Sequence, residues 1–299
     1  MRISGSDLRL LQVFGSVVRH GGFAAAEHEL NISQSTISNH MTALEERFGF
    51  VLCQRGRGGF RLTSKGEAVF DASGRLDKAM QDFSADVAAL RGQMRGELRV
   101  GIVDAIVDDP ANHLPQAIAD FGTIAGEVQV TLIQERPQDL QAKVREGVYD
   151  CGIGSFPTRV DGLDYERLYV EEHGLYCGSK HPLFAGGDGV VSDETLSEQP
   201  FVHRGYWREE GGFRQIPWRV EATVFQMEPQ LLLVLSGRYI GFLPHHYVAS
   251  RVADGQLRRL CPDRIGYACD FELISARTRR KSDIATGFME SVRTAWKTA

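Results

Sequence analysis

Residues 23–49 read FAAAEHELNISQSTISNHMTALEERFG, and no other stretch of the 299-residue chain constrains its folding as tightly. Ile37, Met41, Leu44 and Phe48 recur at helical spacing and mark one buried face. The opposite face opens with Ser33, Gln34, Ser35, Thr36, Ser38 and Asn39. Ser, Thr and Asn are weak helix formers, because their side chains compete for the backbone. An ordinary solvent face would carry Glu, Lys and Arg, which arrive only at Glu45, Glu46 and Arg47. Ahead of this helix, Ala24, Ala25 and Ala26 belong to a shorter one whose small side chains admit a close neighbour. Asn31 suits the tight turn between them, and Ser33 suits the cap of the second.

Two short helices joined by such a turn form a helix-turn-helix, whose second helix enters the DNA major groove N-terminus first. Side chains entering the groove must be short and able both to donate and to accept. Gln34 and Asn39 can pair bidentately with adenine, while Ser33, Ser35, Thr36 and Ser38 can serve several bases. An earlier helix is expected from Ser6 as cap, Asp7 in the first turn and an apolar stripe of Leu8, Leu11, Phe14 and Val18, stopped by Gly21-Gly22. After the second helix, VLCQRGRGGFRLT reads as two short strands with a Gly-rich basic tip. The guanidiniums of Arg55, Arg57 and Arg61 are expected to meet phosphates or the minor groove. Charge agrees. Residues 1–65 hold eight Lys/Arg against five acids, a surplus of three, which leaves residues 66–299 at −8 of the total −5. Only the N-terminal piece is suited to a polyanion.

These residues carry a family resemblance. Ala25-Ala26 with Leu30, Ser33-Gln34 with Ile37-Ser38, Leu44-Glu45 with Phe48-Gly49, Leu52 with Arg55, and Leu62-Thr63 with Gly66 stand at fixed spacings. The array is similar to the DNA-binding region of LysR-type transcriptional regulators. Cys53 stands where that pattern usually has Phe, and Ser35 where Pro is common. The resemblance implies a linker helix that dimerises, often on the way to a tetramer, and a two-lobed, periplasmic-binding-protein-like effector domain.

The residues themselves support that layout. Val69, Leu76, Phe83 and Leu90 are seven apart, with Ala72 and Ala79 at the alternate positions and Asp86 breaking that series. The heptad predicts a helix paired with a second copy of itself. From Gly96 strands alternate with helices: ELRVGIV, EVQVTLIQE and YDCGIGSF form one βαβ set, and QPFVHRG, RVEATVF and YIGFLP a second. FELISAR and the terminal helix are expected to return to the first. The expected fold is therefore multidomain. An α-rich winged helix-turn-helix (1–63) and a dimerising linker helix (64–94) precede an α/β effector-binding domain (95–299). Its lobe I covers about 95–161 and 267–299, and its lobe II about 162–266.

In parallel sheets ligands bind beyond the C-terminal strand ends. That rule lines a cleft with Asp104, Ala105 and Ile106 after the first strand, Gln134 and Glu135 after the second, Val202, His203 and Arg204 across the cleft, and Phe225 and Gln226 before the next helix. Asp104, Asp108 and Asp109 in the first loop disfavour a simple anion unless Arg204 compensates, so an effector with a cationic or hydrogen-donating group is expected.

The expected partners are double-stranded DNA carrying an inverted repeat, an unidentified small-molecule effector, and further copies of the chain. No cofactor or metal is expected: His245-His246 lack a third ligand at helical spacing, and the five cysteines form no C-x-x-C pair. No apolar run approaches the roughly 18 residues of a membrane span and the N-terminus lacks a signal-peptide layout, so a cytoplasmic protein is expected. Two alternatives stay open: a regulator of the same build that senses oxidants through Cys261 and Cys269, and a metabolite-processing enzyme tethered to DNA. No catalytic triad signature supports the second.

Overall fold

The computed structural model describes residues 3–54, 59–90, 94–186, 191–206, 216–278 and 280–298. They fold as two compact units, residues 1–83 and 84–299.

In the first unit α1 (Gly5–Arg19), α2 (Phe23–Leu30) and α3 (Gln34–Phe48) close around Phe14, Val17, Ala26, Ile37, Met41 and Leu44. Ser4, not Ser6, caps α1. Its hydroxyl accepts from the Asp7 N–H while the Asp7 carboxylate accepts from the Ser4 N–H, a reciprocal capping box. Asn31 is left-handed (φ 49°) and the Ser33 hydroxyl accepts from the Thr36 N–H, as the sequence predicts. The wing follows as β1 (Cys53–Gln54) paired antiparallel with β2 (Arg61–Leu62). Two motif residues hold it. The Glu45 carboxylate accepts from the Leu52 N–H at 2.7 Å and the Cys53 N–H at 3.3 Å. Gly66 packs so closely that a Cβ there would lie 2.0 Å from the Leu52 carbonyl oxygen.

Helix α4 spans Ser64–Ala89. Val69, Phe70 and Leu76 pack against the core of the first unit. Val69 and Leu76 of the heptad thus also serve their own unit, because the helix that follows the wing must close its small core. Ala72 and Ala79 are exposed. Further along, Met80, Phe83, Val87 and Leu90 form an exposed apolar stripe, with Phe83 at 69% and Leu90 at 89% exposure.

The second unit is built on one mixed, nine-stranded sheet. β3 (Arg95–Ile102) pairs in parallel with β4 (Glu127–Gln134) and β5 (Cys151–Ser155), with α5 (Leu114–Ile124) and α6 (Pro137–Arg145) as crossovers. β7 (Pro200–Arg204) pairs in parallel with β8 (Arg219–Val224) and β9 (Ile240–Pro244), with α8 (Met227–Leu235) between the latter two and the short α7 (Asp193–Glu198) ahead of β7. Two long antiparallel strands join the halves: β6 (Leu163–Gly178) and β11 (Gly266–Ala276). α9 (His245–Ala253), β10 (Leu257–Leu260) and α10 (Asp283–Lys297) complete the unit. Leu163 and Tyr169 of β6 belong to the first half's core, Leu175 and Cys177 to the second's. The halves therefore divide within β6, near Val170–His173, and not ahead of residue 163 as expected. Long strands read as one element, so periodicity does not show where they change neighbours. No described helix is long and apolar enough to cross a membrane.

Candidate functional site

Two sites emerge, one in each unit. In the first, Ser33, Gln34, Ser35 and Asn39 are exposed along one side of α3, and Thr36 and Ser38 are half-buried. Ser33 also bonds Ser35 and Thr36, so it serves the helix start as well. Gln34 and Ser38 share a notch with Gly22, Ala24, Ala25 and Phe60. Of the three alanines only Ala26 is buried between helices; Ala24 and Ala25 keep the notch open. Arg61 is exposed on β2, whereas Arg55 and Arg57 lie outside the described residues. The result is a row of short uncharged donors and acceptors beside a basic strand.

In the second unit a cavity of about 400 Å³ opens between the halves. Asp104 and Arg204, both expected there, line it. Asp104 follows β3, and its Oδ2 accepts from the Met227 N–H at 2.5 Å, capping α8 of the opposite half. Burial raises its pKa. Arg204 ends β7 and is 8% exposed. Its Nη1 donates to the Tyr206 hydroxyl at 3.5 Å and its Nη2 to the Tyr267 hydroxyl and to His173 Nδ1, the latter at 3.3 Å.

The other expected residues serve elsewhere. Ala105, left-handed at φ 60°, packs against the cluster of Val202 and Met227. Ile106 and Val202 are core residues, and His203 is half-buried. Gln134 is exposed, while Glu135 is held by Lys143 and by the Tyr149 hydroxyl. Phe225 lies 5.5 Å under the Arg136 guanidinium, and Gln226 precedes α8 as its cap position. None of these eight is on the cavity wall.

The wall comes instead from β6 and β11. Their register sets Glu171 opposite Cys269 and His173 opposite Tyr267, and the His173 and Tyr267 rings stack at 4.5 Å. A guanidinium can only donate, so His173 Nδ1 accepts from Arg204 and its Nε2–H donates to Glu171 Oε2 at 2.5 Å. Burial holds His173 at about 4, and therefore neutral at pH 7. Burial opposes the charge on Glu171 too, but hydrogen bonds from His173 and His246 outweigh it and hold the carboxyl at about 2. His246 Nε2 also lies 3.4 Å from Asp109 Oδ2, so two acids, two histidines and Arg204 form one buried chain. Rules for parallel strand ends cannot find residues in the middle of crossing strands. The available signal was the polar pair Glu171 and His173, two residues apart between the apolar Tyr169 and Leu175 and so on the strand's inward side.

Among the described residues two groups have metal-like spacing, Glu171/His173/Cys269 and Asp109/Glu171/His246, each with ligand atoms within 4.8 Å of one another. His173 Nε2 carries the proton that Arg204 forces onto it, so it offers no lone pair to a metal in this arrangement. Burial and the Glu171 charge push the Cys269 thiol up to about 12, the opposite of what a reactive thiolate needs. Cys261 sits against the Val191 carbonyl and Arg264, within another cluster of the core.

Comparison with known proteins finds the same order of two domains. Residues 8–67 match the family model described as bacterial regulatory helix-turn-helix protein, lysR family, and residues 91–297 match the LysR substrate binding domain. The chain is 35% identical over 292 residues to the HTH-type transcriptional activator BauR of Pseudomonas aeruginosa, covering 97% of this chain and 96% of that protein. It is 25% identical over 285 residues to the transcriptional regulator CbbR of Xanthobacter flavus, covering 91% and 83%. Among solved structures, full-length CbnR bound to its target DNA superposes with a TM-score of 0.68 at 23% identity, covering 97% of this chain and 99% of that one. A full-length OxyR variant from Pseudomonas aeruginosa gives 0.60 at 19% identity, covering 99% and 95%.

Proposed function

The chain belongs to the LysR family of DNA-binding transcriptional regulators, and from that premise we propose how its parts divide the work. Gln34, Ser35, Ser38 and Asn39 read base edges in the major groove, and Arg61 with Arg55 and Arg57 of the wing holds the phosphates. The stripe of Met80, Phe83 and Val87 on α4, with Leu90 just past its end, pairs with a second copy, so that two recognition helices meet the two half-sites of an inverted repeat. Pairs of dimers assemble further into a tetramer, and the protein works in the cytoplasm as a regulator without catalysis of its own. A small molecule enters the cavity between β6, β11, the Asp104 loop and Arg204, and shifts the population of arrangements in which both half-sites are engaged.

The observation that carries the ligand reading is Arg204, a guanidinium buried on a cavity wall and met by two hydroxyls and a neutral imidazole. Among the described residues no carboxylate meets Arg204 at hydrogen-bond distance, and a buried cation without such a partner is costly unless a ligand supplies one. Mapping bound DNA across the genome tests the whole reading. Bound sites should share a two-fold related pair of half-sites, and occupancy of isolated single half-sites would refute it.

A further inference from the structure

The ionisable side chains on the cavity wall are not equally matched. Four acids face it, Asp104, Glu171, Asp270 and Glu272. Arg159 holds Glu272, Arg167 holds Asp270 at 2.8 Å, and His173 and His246 hold Glu171. Two groups are left without an opposite side-chain charge at hydrogen-bond distance among the described residues. One is Asp104, whose carboxylate is met by backbone N–H groups, that of Met227 on Oδ2 among them. The other is Arg204, whose three bonds leave two of its five N–H donors to an incoming group. They belong to opposite halves, Asp104 after β3 and Arg204 at the end of β7.

We propose that the ligand of this cavity is amphoteric: a small molecule whose carboxylate is held by Arg204 and whose ammonium group is held by Asp104. The inference rests on the reading of the cavity as the effector site. A carboxylate accepts a charge-assisted bond from a remaining N–H of Arg204, stronger than one between neutral groups. An ammonium satisfies the second oxygen of Asp104 without displacing α8. A dicarboxylate would press its second charge against Asp104 and Glu171, and a diamine would press one against Arg204, each an unpaired charge in a desolvated wall. Such a cross-pattern selects by repulsion as well as attraction. A ligand gripping both residues also spans the two halves, which ties its occupancy to their relative position.

Isothermal titration of the full-length protein with 2-, 3- and 4-aminobutanoate, and with butanoate, butylamine and succinate as size-matched controls, tests this. At least one aminobutanoate should bind ten-fold or more tighter than all three controls, and the best isomer reads the spacing between the two charges. Arg204→Gln should weaken that isomer at least ten-fold. Asp104→Asn should erase its advantage over butanoate. Circular dichroism checks that each variant folds, with Arg204→Lys, which keeps the charge and loses the directed N–H donors, in reserve and expected to bind more weakly. Tighter binding of succinate or butylamine, lost in Arg204→Gln, would overturn the amphoteric class and leave the effector cavity standing. Binding of no member of the panel would overturn the class as well. Aminobutanoate binding untouched by both variants would place the ligand elsewhere and remove both readings.

Discussion

The carboxylate of Asp104 accepts the backbone N–H of Met227 at 2.5 Å, so a loop of one half of the C-terminal unit caps a helix of the other. The first N–H groups of a helix lack intrahelical partners, and α8 has no cap from its own N-cap residue, Gln226. Asp104→Ala should therefore cost about 0.5–2 kcal/mol, the range of a lost N-cap. Urea unfolding followed by fluorescence measures it. An unchanged midpoint would show that α8 does not depend on the loop.

Acid should loosen the same unit through the buried chain on β6. His173 is held at about 4, below its ordinary 6.5, and Glu171 at about 2, below its ordinary 4.5. Both folded-state values are depressed. In each case the unfolded chain binds the proton first, and stability rises with pH across the window. Stability is then complete above about pH 6.5, falls towards 4 as His173 resists protonation, and falls again between about 4.5 and 2 with Glu171. His173→Gln, which keeps an acceptor for Arg204 and a donor for Glu171, should flatten the slope between pH 6.5 and 4. An identical slope in the variant would assign the acid sensitivity to other groups.

Gly66 carries the wing's position. Any side chain there meets the Leu52 carbonyl, 2.0 Å from where a Cβ would sit. Gly66→Ala should destabilise the first unit by about 1–3 kcal/mol, the usual cost of overpacking. It should also weaken DNA binding by moving β1. Thermal melting and fluorescence anisotropy on labelled DNA report the two effects separately.

Base reading and phosphate holding should separate by mutation. Gln34→Ala should cost about 1–3 kcal/mol on the cognate site and little on random DNA. Arg61→Ala should weaken both alike and lower the salt slope by about one. If the two variants behave the same, the division along α3 and β2 is wrong.

Phe83 is 69% exposed in the middle of an apolar stripe on α4. Phe83→Asp should shift the protein towards monomers in sedimentation velocity and abolish binding to two-half-site DNA while sparing the fold of each unit. A dimer of unchanged strength would move the pairing surface away from α4.

The helix-turn-helix was legible in the sequence because its signals are local. The αL turn at Asn31, the Ser33 cap and the i, i+3, i+4 stripe of Ile37, Met41 and Leu44 each depend on neighbours within a few residues. The alternation of strands and helices after Gly96 was legible for the same reason. Asp104 and Arg204 were found because they stand at the ends of parallel strands, where a general rule applies. The heptad on α4 was visible too, but not its division of labour. Val69 and Leu76 turn to their own core while Ala72, Ala79, Phe83 and Leu90 remain exposed, a choice made by what stands beside each turn of the helix.

Local pattern thus settles which segments are helix, strand or turn, and which short polar residues stand on the exposed side of α3. The cavity wall is different in kind. Glu171 lies opposite Cys269 and His173 opposite Tyr267, residues nearly a hundred positions apart that meet through one antiparallel register. A shift of that register by one residue would turn each strand's inward side chains to the other face. Neither strand's own periodicity records which partner it will meet, so the chemistry of the cavity exists only once β6 and β11 have paired.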